Sequence, residues 1–496
     1  MASRSLPLLQ AFLQDLSRSE KRYIRLWLAQ HKDPGKGAWE DRFDALCHGS
    51  ATTTLFGTGR RANRVVEVLR DHIMEAMTAY YRASAPEHRL LQYLAEVDML
   101  LQKEAYAMAQ QRLQSAWRLA EGLPWNPYWS RMTQLDAFLA RRTLHPKALT
   151  ARLDALEEAL PRQLAVQEKA LTLNLLASRL AVWLQRGRRY HVADDRALLD
   201  ALAANPCLTP HPQDNMECRQ RQEEINGAIA FQKADYQKAF FHREALEKMY
   251  ASHPHRIREA PQRYISILNN WLISAVRLQD DQAIQEGLLR MRGFPARYRL
   301  ANRENLQAAV FGRSYSIEVF HVLTTLDQVR LEGIIPEIRE GLTTYGNRLQ
   351  PVQRLDFRFL LARSCFTLGR DEEALDELKR VFQPGRESLR HDLQILARIL
   401  NLLVHFELGN YQWLSTALDG FSRYATKNKH RNTLTKELVS LLRRINHAGK
   451  KREREQLVQV ALREWPRDKV SSRDRLQWTE SGAAAWAQRY GAVLPE

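Results

Sequence analysis

Residues 359–385 read FLLARSCFTLGRDEEALDELKRVFQPG. On either side of Leu368-Gly369 the apolar residues recur three and four apart, which is the pattern of two amphipathic helices joined by a short turn. Ala362 and Ala374 are small enough to let the two helices approach closely, while Leu361, Leu378 and Val381 fill the space between neighbours. Glu372-Glu373 stands where acids complement the second helix's dipole, and Pro384 stands near that helix's end. The same plan recurs outward. Asn226–Glu247 (NGAIAFQKADYQKAFFHREALE) places Gly227, Asp235-Tyr236 and Ala239 at the matching offsets. Asn401–Phe421 keeps Leu408-Gly409-Asn410-Tyr411 but has Leu414 where the small residue belongs. Weaker echoes fall at Ala283 and Ile338. The key positions Ala239, Ala283, Ile338, Ala374 and Leu414 are then 44, 55, 36 and 40 residues apart.

These units resemble tetratricopeptide repeats, with helices or turns longer than in the 34-residue consensus. The resemblance covers roughly residues 88–425 and implies an all-α fold, an irregular tetratricopeptide-like α-solenoid in which helix pairs wind into a right-handed superhelix. In that family the first helix of each pair lines a concave face that holds an extended peptide or a partner helix. Carried onto this chain, the resemblance implies that Phe359, Arg363 and Phe366 of one unit, and Phe231 and Gln232 of another, present to a partner. Arg363 would clamp a carboxylate by a bidentate bond. The stretch LSRSEKRYIRLWL, followed by a short and then a long helix, also resembles the opening of uncharacterised bacterial repeat proteins with an N-terminal helical segment.

The rest of the chain fits this organisation. Ser17-Arg18-Ser19-Glu20 reads as a capping box, which starts a helix near residue 18 that stops before Pro34. A short helix is expected at 40–47, then a long one at 62–81 with Val65, Val68, Leu69, Ile73 and Met77 on one side. Helix pairs follow from residue 88, the first at 90–101 and 105–121. Pro146, Pro161, Pro206, Pro254, Pro295, Pro336 and Pro351 are expected mostly between helices, where proline stops one and starts the next. No stretch alternates with period two, so no sheet is expected. With Gly at 21 and Pro at 18 of 496 residues, an all-β or collagen-like chain is excluded on composition. The expected division is an N-terminal helical unit at 1–85, the array at 88–425 and a basic C-terminal cap at 426–496.

Motifs for chemistry are sparse. Cys47, Cys207, Cys218 and Cys365 are scattered without a CxxC pair, which points to a reducing compartment, and no segment reads as a signal peptide or membrane span. A cytoplasmic location is expected. Cys207, His211 and Cys218 fall within twelve residues at the Pro-rich stretch 206–215 but lack zinc spacing and a fourth ligand. Phosphate-loop, dinucleotide and nucleophile-elbow patterns are absent from the sequence, so neither enzyme activity nor cofactor nor metal is expected.

The formal charge of +17 is uneven. Residues 427–454 hold ten Lys/Arg (Lys427, Lys429, Arg431, Lys436, Arg443, Arg444, Lys450, Lys451, Arg452, Arg454) against two Glu. The leucines 434, 438, 441 and 442 among them describe an amphipathic cap helix with a solvated basic face. The alternative is a nucleic-acid surface, to which Tyr23 and Trp27 among basic residues, Arg186–Tyr190 and Arg297-Tyr298-Arg299 would add stacking and charge. The leading expectation is a non-enzymatic scaffold for a protein or peptide partner; the second is a nucleic-acid-binding or regulatory protein.

Overall fold

The structure is a computed structural model that describes residues 6, 9–10, 12–13, 16, 18–30, 39–48, 56, 59–82, 86–121, 123, 126–187, 194–382, 391–427, 433–448, 451–463 and 477–491. Among the described residues there are helices and turns and no strand, and no helix is long and apolar enough to cross a membrane. Two compact units divide the chain: Met1–Leu278 with Tyr298–Glu304, and Gln279–Arg297 with Asn305–Glu496.

In the first unit, α1 (Arg18–Gln30), α2 (Trp39–Cys47) and α3 (Gly59–Arg82) enclose Leu13, Ile24, Leu28, Phe43, Leu69 and Ile73. On α3 it is Val66, not Val65, that is buried with them. Ser17 lies outside the described residues. Its expected capping partner Glu20 is buried and accepts from the Tyr81 hydroxyl; burial and that bond push the phenol up to about 12. Next, α4 (Pro86–Gln102), α5 (Tyr106–Glu121) and α6 (Trp129–Thr143) share Leu90, Val97, Ala109, Leu113, Met132 and Leu139. The long helix α7 (Pro146–Gly187), α8 (Asp194–Ala203), α9 (Met216–Gln232), α10 (Tyr236–Ala251), α11 (Pro254–Glu259) and α12 (Pro261–Leu278) complete the unit.

The second unit contains α13 (Asp281–Arg297), α14 (Glu304–Thr325), α15 (Gln328–Tyr345), α16 (Pro351–Thr367) and α17 (Asp371–Val381). It ends with α18 (His391–Glu407), α19 (Tyr411–Lys427), α20 (Thr433–His447), α21 (Lys451–Arg463) and α22 (Ala483–Arg489). From α15 to α21 each helix packs on the next in the chain, and α16 also touches α18. One core runs from Ala308 to Trp486 and takes in Leu438, Leu442, Val458 and Leu462 of the expected cap.

Three prolines correct the expectation that proline separates helices. Pro161 lies inside the 42-residue α7, Pro295 inside α13 and Pro336 inside α15. An interior proline costs about 3 kcal/mol of helix stability, and the packing of long helices along their length outweighs that.

The repeat itself is set by a backbone feature. Glu104, Ala234, Gln279, Leu326, Gly369 and Gly409 all have φ between 56° and 76°. In each case the residue five positions later is free of solvent or nearly so: Ala109, Ala239, Ile284, Leu331, Ala374 and Leu414. A left-handed residue after a helix lets the next N–H return to a carbonyl in the last turn, closing the helix end. Asp235, Asp327, Arg370 and Asn410 do so, to Ala230, Val322, Cys365 and His405 at 3.0, 3.3, 2.9 and 3.0 Å. From Ala234 to Gly409 these turns are 45, 47, 43 and 40 residues apart. The register expected at Ala283 and Ile338 therefore moves to Ile284 and Leu331. Ile338 is also buried, because it lies two helical turns beyond Leu331 on the same face of α15.

Four of the six left-handed positions carry a side chain, which costs about 1 kcal/mol each. Gln279→Gly is expected to raise stability by about 0.5–1 kcal/mol and Gly369→Ala to lower it by about 1 kcal/mol, both measured by urea melts of the full chain.

Candidate partner-binding site

Phe359, Arg363 and Phe366 are spaced by four and three residues, so α16 must place them on one face. The structure does place them together, but all three are buried, which corrects the expectation that they present to solvent. What covers this face is the chain's own residues 477–491. Gly482 has φ +85°, and a Cβ on it would stand 3.0 Å from Leu400 of α18 and 3.6 Å from Phe366, so only glycine brings the backbone this close. Arg363 lies under the same residue. Burial drives its guanidinium down to about 10, against the opposing pull of Glu480 in the covering segment.

Beyond Gly482 the segment turns into α22, where Trp486, Arg489 and the residue that ends the helix, Tyr490, are spaced i, i+3 and i+4. Trp486 is fully buried and donates from Nε1 to Glu407 Oε1 at 2.7 Å; the Tyr490 hydroxyl donates to the same oxygen at 2.9 Å. The Trp486 ring meets Phe406 edge-on at 5.8 Å. Arg489 is bidentate to Asp371, the first residue of α17, at 2.9 and 3.2 Å, and lies 4.2 Å above the Phe366 ring. It also donates to the Phe366 carbonyl. Burial raises the Glu407 carboxyl above its ordinary 4.5, while its bonds from Tyr490 and Trp486 and the charge of Arg489 pull the other way.

The arrangement is a short helix held on the first helices of two successive pairs, with an aromatic anchor, a bidentate ion pair and polar groups that converge on one carboxylate. The expected clamp, an arginine of the face holding a carboxylate of the ligand, is largely reversed: Asp371 on the face holds Arg489 on the segment. The sequence reading places residues 477–491 in the expected cap at 426–496 and names none of them as contact residues. The signal available was the i, i+3, i+4 spacing of Trp486, Arg489 and Tyr490.

In the first unit, Phe231 is half-buried between Tyr236, whose ring is 5.4 Å away, and Arg243, whose guanidinium lies 4.4 Å from its ring. Phe231 therefore packs inside its helix pair, and only Gln232 is exposed. Burial lowers Arg243 to about 10, and it donates to the Asn270 carbonyl and Ser274 Oγ at 2.8 and 2.7 Å. Of the basic stretch, Lys427, Lys436, Arg443, Arg444 and Arg452 are exposed. Arg443 pairs with Asp419 at 2.7 Å, and half-buried Arg454 stacks 3.6 Å over Tyr411 and donates to the Ala448 carbonyl. Lys429, Arg431, Lys450 and the side chain of Lys451 lie outside the described residues, as does most of Arg186–Tyr190. Tyr23 packs against Trp27 and Tyr80.

The Pro-rich stretch is tied by polar bonds. Gln222 Nε2 donates to the carbonyls of Cys207 and Thr209 and to Asp214 at 2.8, 3.0 and 3.0 Å, and Lys169 pairs with Asp214 at 2.8 Å. Cys218 is buried with its thiol pushed up to about 11, toward the Val166 carbonyl. Among the described residues no three His, Cys, Asp or Glu side chains converge as metal ligands.

No family model matches the chain, and comparisons with curated proteins and with solved structures give no match.

Two measurements check the docked segment. A double-mutant cycle with Asp371→Ala and Arg489→Ala is expected to give a coupling of about 1–3 kcal/mol, as for a charge-assisted, mostly buried pair. Glu407 binds its proton more tightly folded than unfolded. It therefore contributes stability that is present below pH 4.5 and lost as pH rises through the raised value. Glu407→Gln is expected to remove that slope from the stability–pH profile, read by thermal melts across acid pH.

Proposed function

We propose that this chain is a protein-interaction scaffold, a tetratricopeptide-like solenoid whose first helices take up a short helical peptide. The observation that supports this reading is the α16–α18 face itself. It holds residues 477–491 through side chains on three different helices, with Trp486 buried and its Nε1 bonded to Glu407. Peptide recognition by a helix laid on an apolar face uses anchors at i, i+3 and i+4, and Trp486, Arg489 and Tyr490 stand at those positions. Tryptophan, tyrosine and arginine are also the residues that dominate binding energy where peptides dock. Nothing in this reading calls for reaction chemistry or a cofactor.

Tethering sets the occupancy of the face. A ligand carried in the same chain competes at an effective concentration of about 1 mM. A peptide of micromolar intrinsic affinity is thus largely excluded from the wild-type chain. The test uses the full chain and a fluorescein-labelled peptide of residues 477–496. Wild type is expected to bind the peptide weakly. Arg489→Glu, which sets a carboxylate against Asp371, is expected to release the tethered segment and increase binding about 100-fold. Adding Asp371→Ala is expected to remove most of that gain. No binding by an Arg489→Glu protein of native helix content would overturn the reading.

A further inference from the structure

Helix α7 carries two apolar faces. Ala170, Leu173, Leu176 and Leu180 are buried, in a core shared with Leu199 and Leu202 of α8 and Ile225 of α9. The second row is solvent-facing: Leu160, Leu164, Leu171, Leu175 and Val182 are 40 to 64% exposed. At about 100° per residue these five lie within about 60° of one another, on the side of the helix away from the buried row, and the row is about 33 Å long. Scattered surface leucines need no explanation, but five exposed apolar residues returning to one side of a single helix over this length mark an interaction site.

From Leu164 to Val182 the spacing is complementary to itself, with steps of seven, four and seven residues. When a second α7 is laid antiparallel with the two-fold axis level with residue 173, Leu164 comes level with the second copy's Val182, and Leu171 with its Leu175. Each contact then occurs twice, as an isologous interface requires. Ser178, between Leu175 and Val182, is small enough to let the two backbones approach.

The charges beside the row select this arrangement. Glu168 and Arg179 lie on the same flank, both are exposed, and neither forms an ion pair within the chain among the described residues. In an antiparallel helix pair like flanks face each other, which brings Glu168 within one residue of level with the second copy's Arg179. A parallel pair would turn opposite flanks toward each other and leave both Glu168 and Arg179 without this partner.

We propose that α7 is a homodimerisation helix through which two copies of this chain pair antiparallel along the row from Leu164 to Val182. This interface is independent of the α16–α18 face, and a dimer would carry two such faces and be bivalent for a partner.

The test is the mass of the full chain in solution, by light scattering and sedimentation over a concentration series. Wild type is expected to reach twice the chain mass at micromolar concentration. Leu171→Glu with Leu175→Glu, both at exposed positions, is expected to weaken the dimer at least ~100-fold while leaving helix content unchanged. Glu168→Arg and Arg179→Glu are each expected to weaken it several-fold through like-charge contacts, and the two together to restore it. That restoration separates a direct charge pair from a loss of fold. A wild-type chain that stays monomeric at about 100 μM overturns the proposal. So does a dimer indifferent to the leucine substitutions, or a double charge reversal no tighter than the singles.

Discussion

Two helices joined by a turn of two or three residues pack side by side when the chain reverses within that turn and then presents an apolar side chain to the helix it has just left. Here one residue in the left-handed region performs the reversal. At Gly369 it lets Arg370 N–H return to the Cys365 carbonyl, α17 starts at Asp371, and Ala374 arrives against α16 with no solvent contact. Leu326 does the same before Leu331, and Ala234 before Ala239. The turn stays constant while the spacing varies from 40 to 47 residues, with an additional helix, α11, between Ala234 and Gln279.

Polar residues trapped by this packing need partners, and arginine supplies many of them. Glu318 is buried and is held by Arg292 of α13 and Arg330 of α15. Glu377 is buried and is held by Arg358 of α16 and Arg380. A planar guanidinium can satisfy a carboxylate from a neighbouring helix while its stem lies along apolar surface. Part of the chain's arginine content therefore serves contacts between helices, which composition alone cannot distinguish from a basic surface.

The same constraint accounts for the docked segment. First helices of successive pairs leave an apolar face that contains Phe359, Phe366 and Leu400. With Arg363 among them, this face would leave large apolar area and a guanidinium in water at once. Residues 477–491 cover it at the point where glycine permits backbone contact, and then anchor the cover at Glu407 and Asp371.

Local sequence determined the helices and their ends. Arg18–Gln30, Tyr106–Glu121 and the pairs around Gly369 and Gly409 follow from apolar spacing and turn residues, which are properties of neighbours in the chain. The left-handed turns at Gln279 and Leu326 were not legible, since neither residue prefers that conformation; packing imposes it. Pro161, Pro295 and Pro336 misled for the converse reason, because a local breaker yields to long-range contacts. For the candidate site, spacing placed Phe359, Arg363 and Phe366 on one face but left open what lies over it. That was decided by a segment more than a hundred residues away in sequence, through the Asp371–Arg489 pair. Periodicity reports which side of a helix is apolar; only the tertiary structure decides whether that side meets solvent, the chain's own end or another molecule.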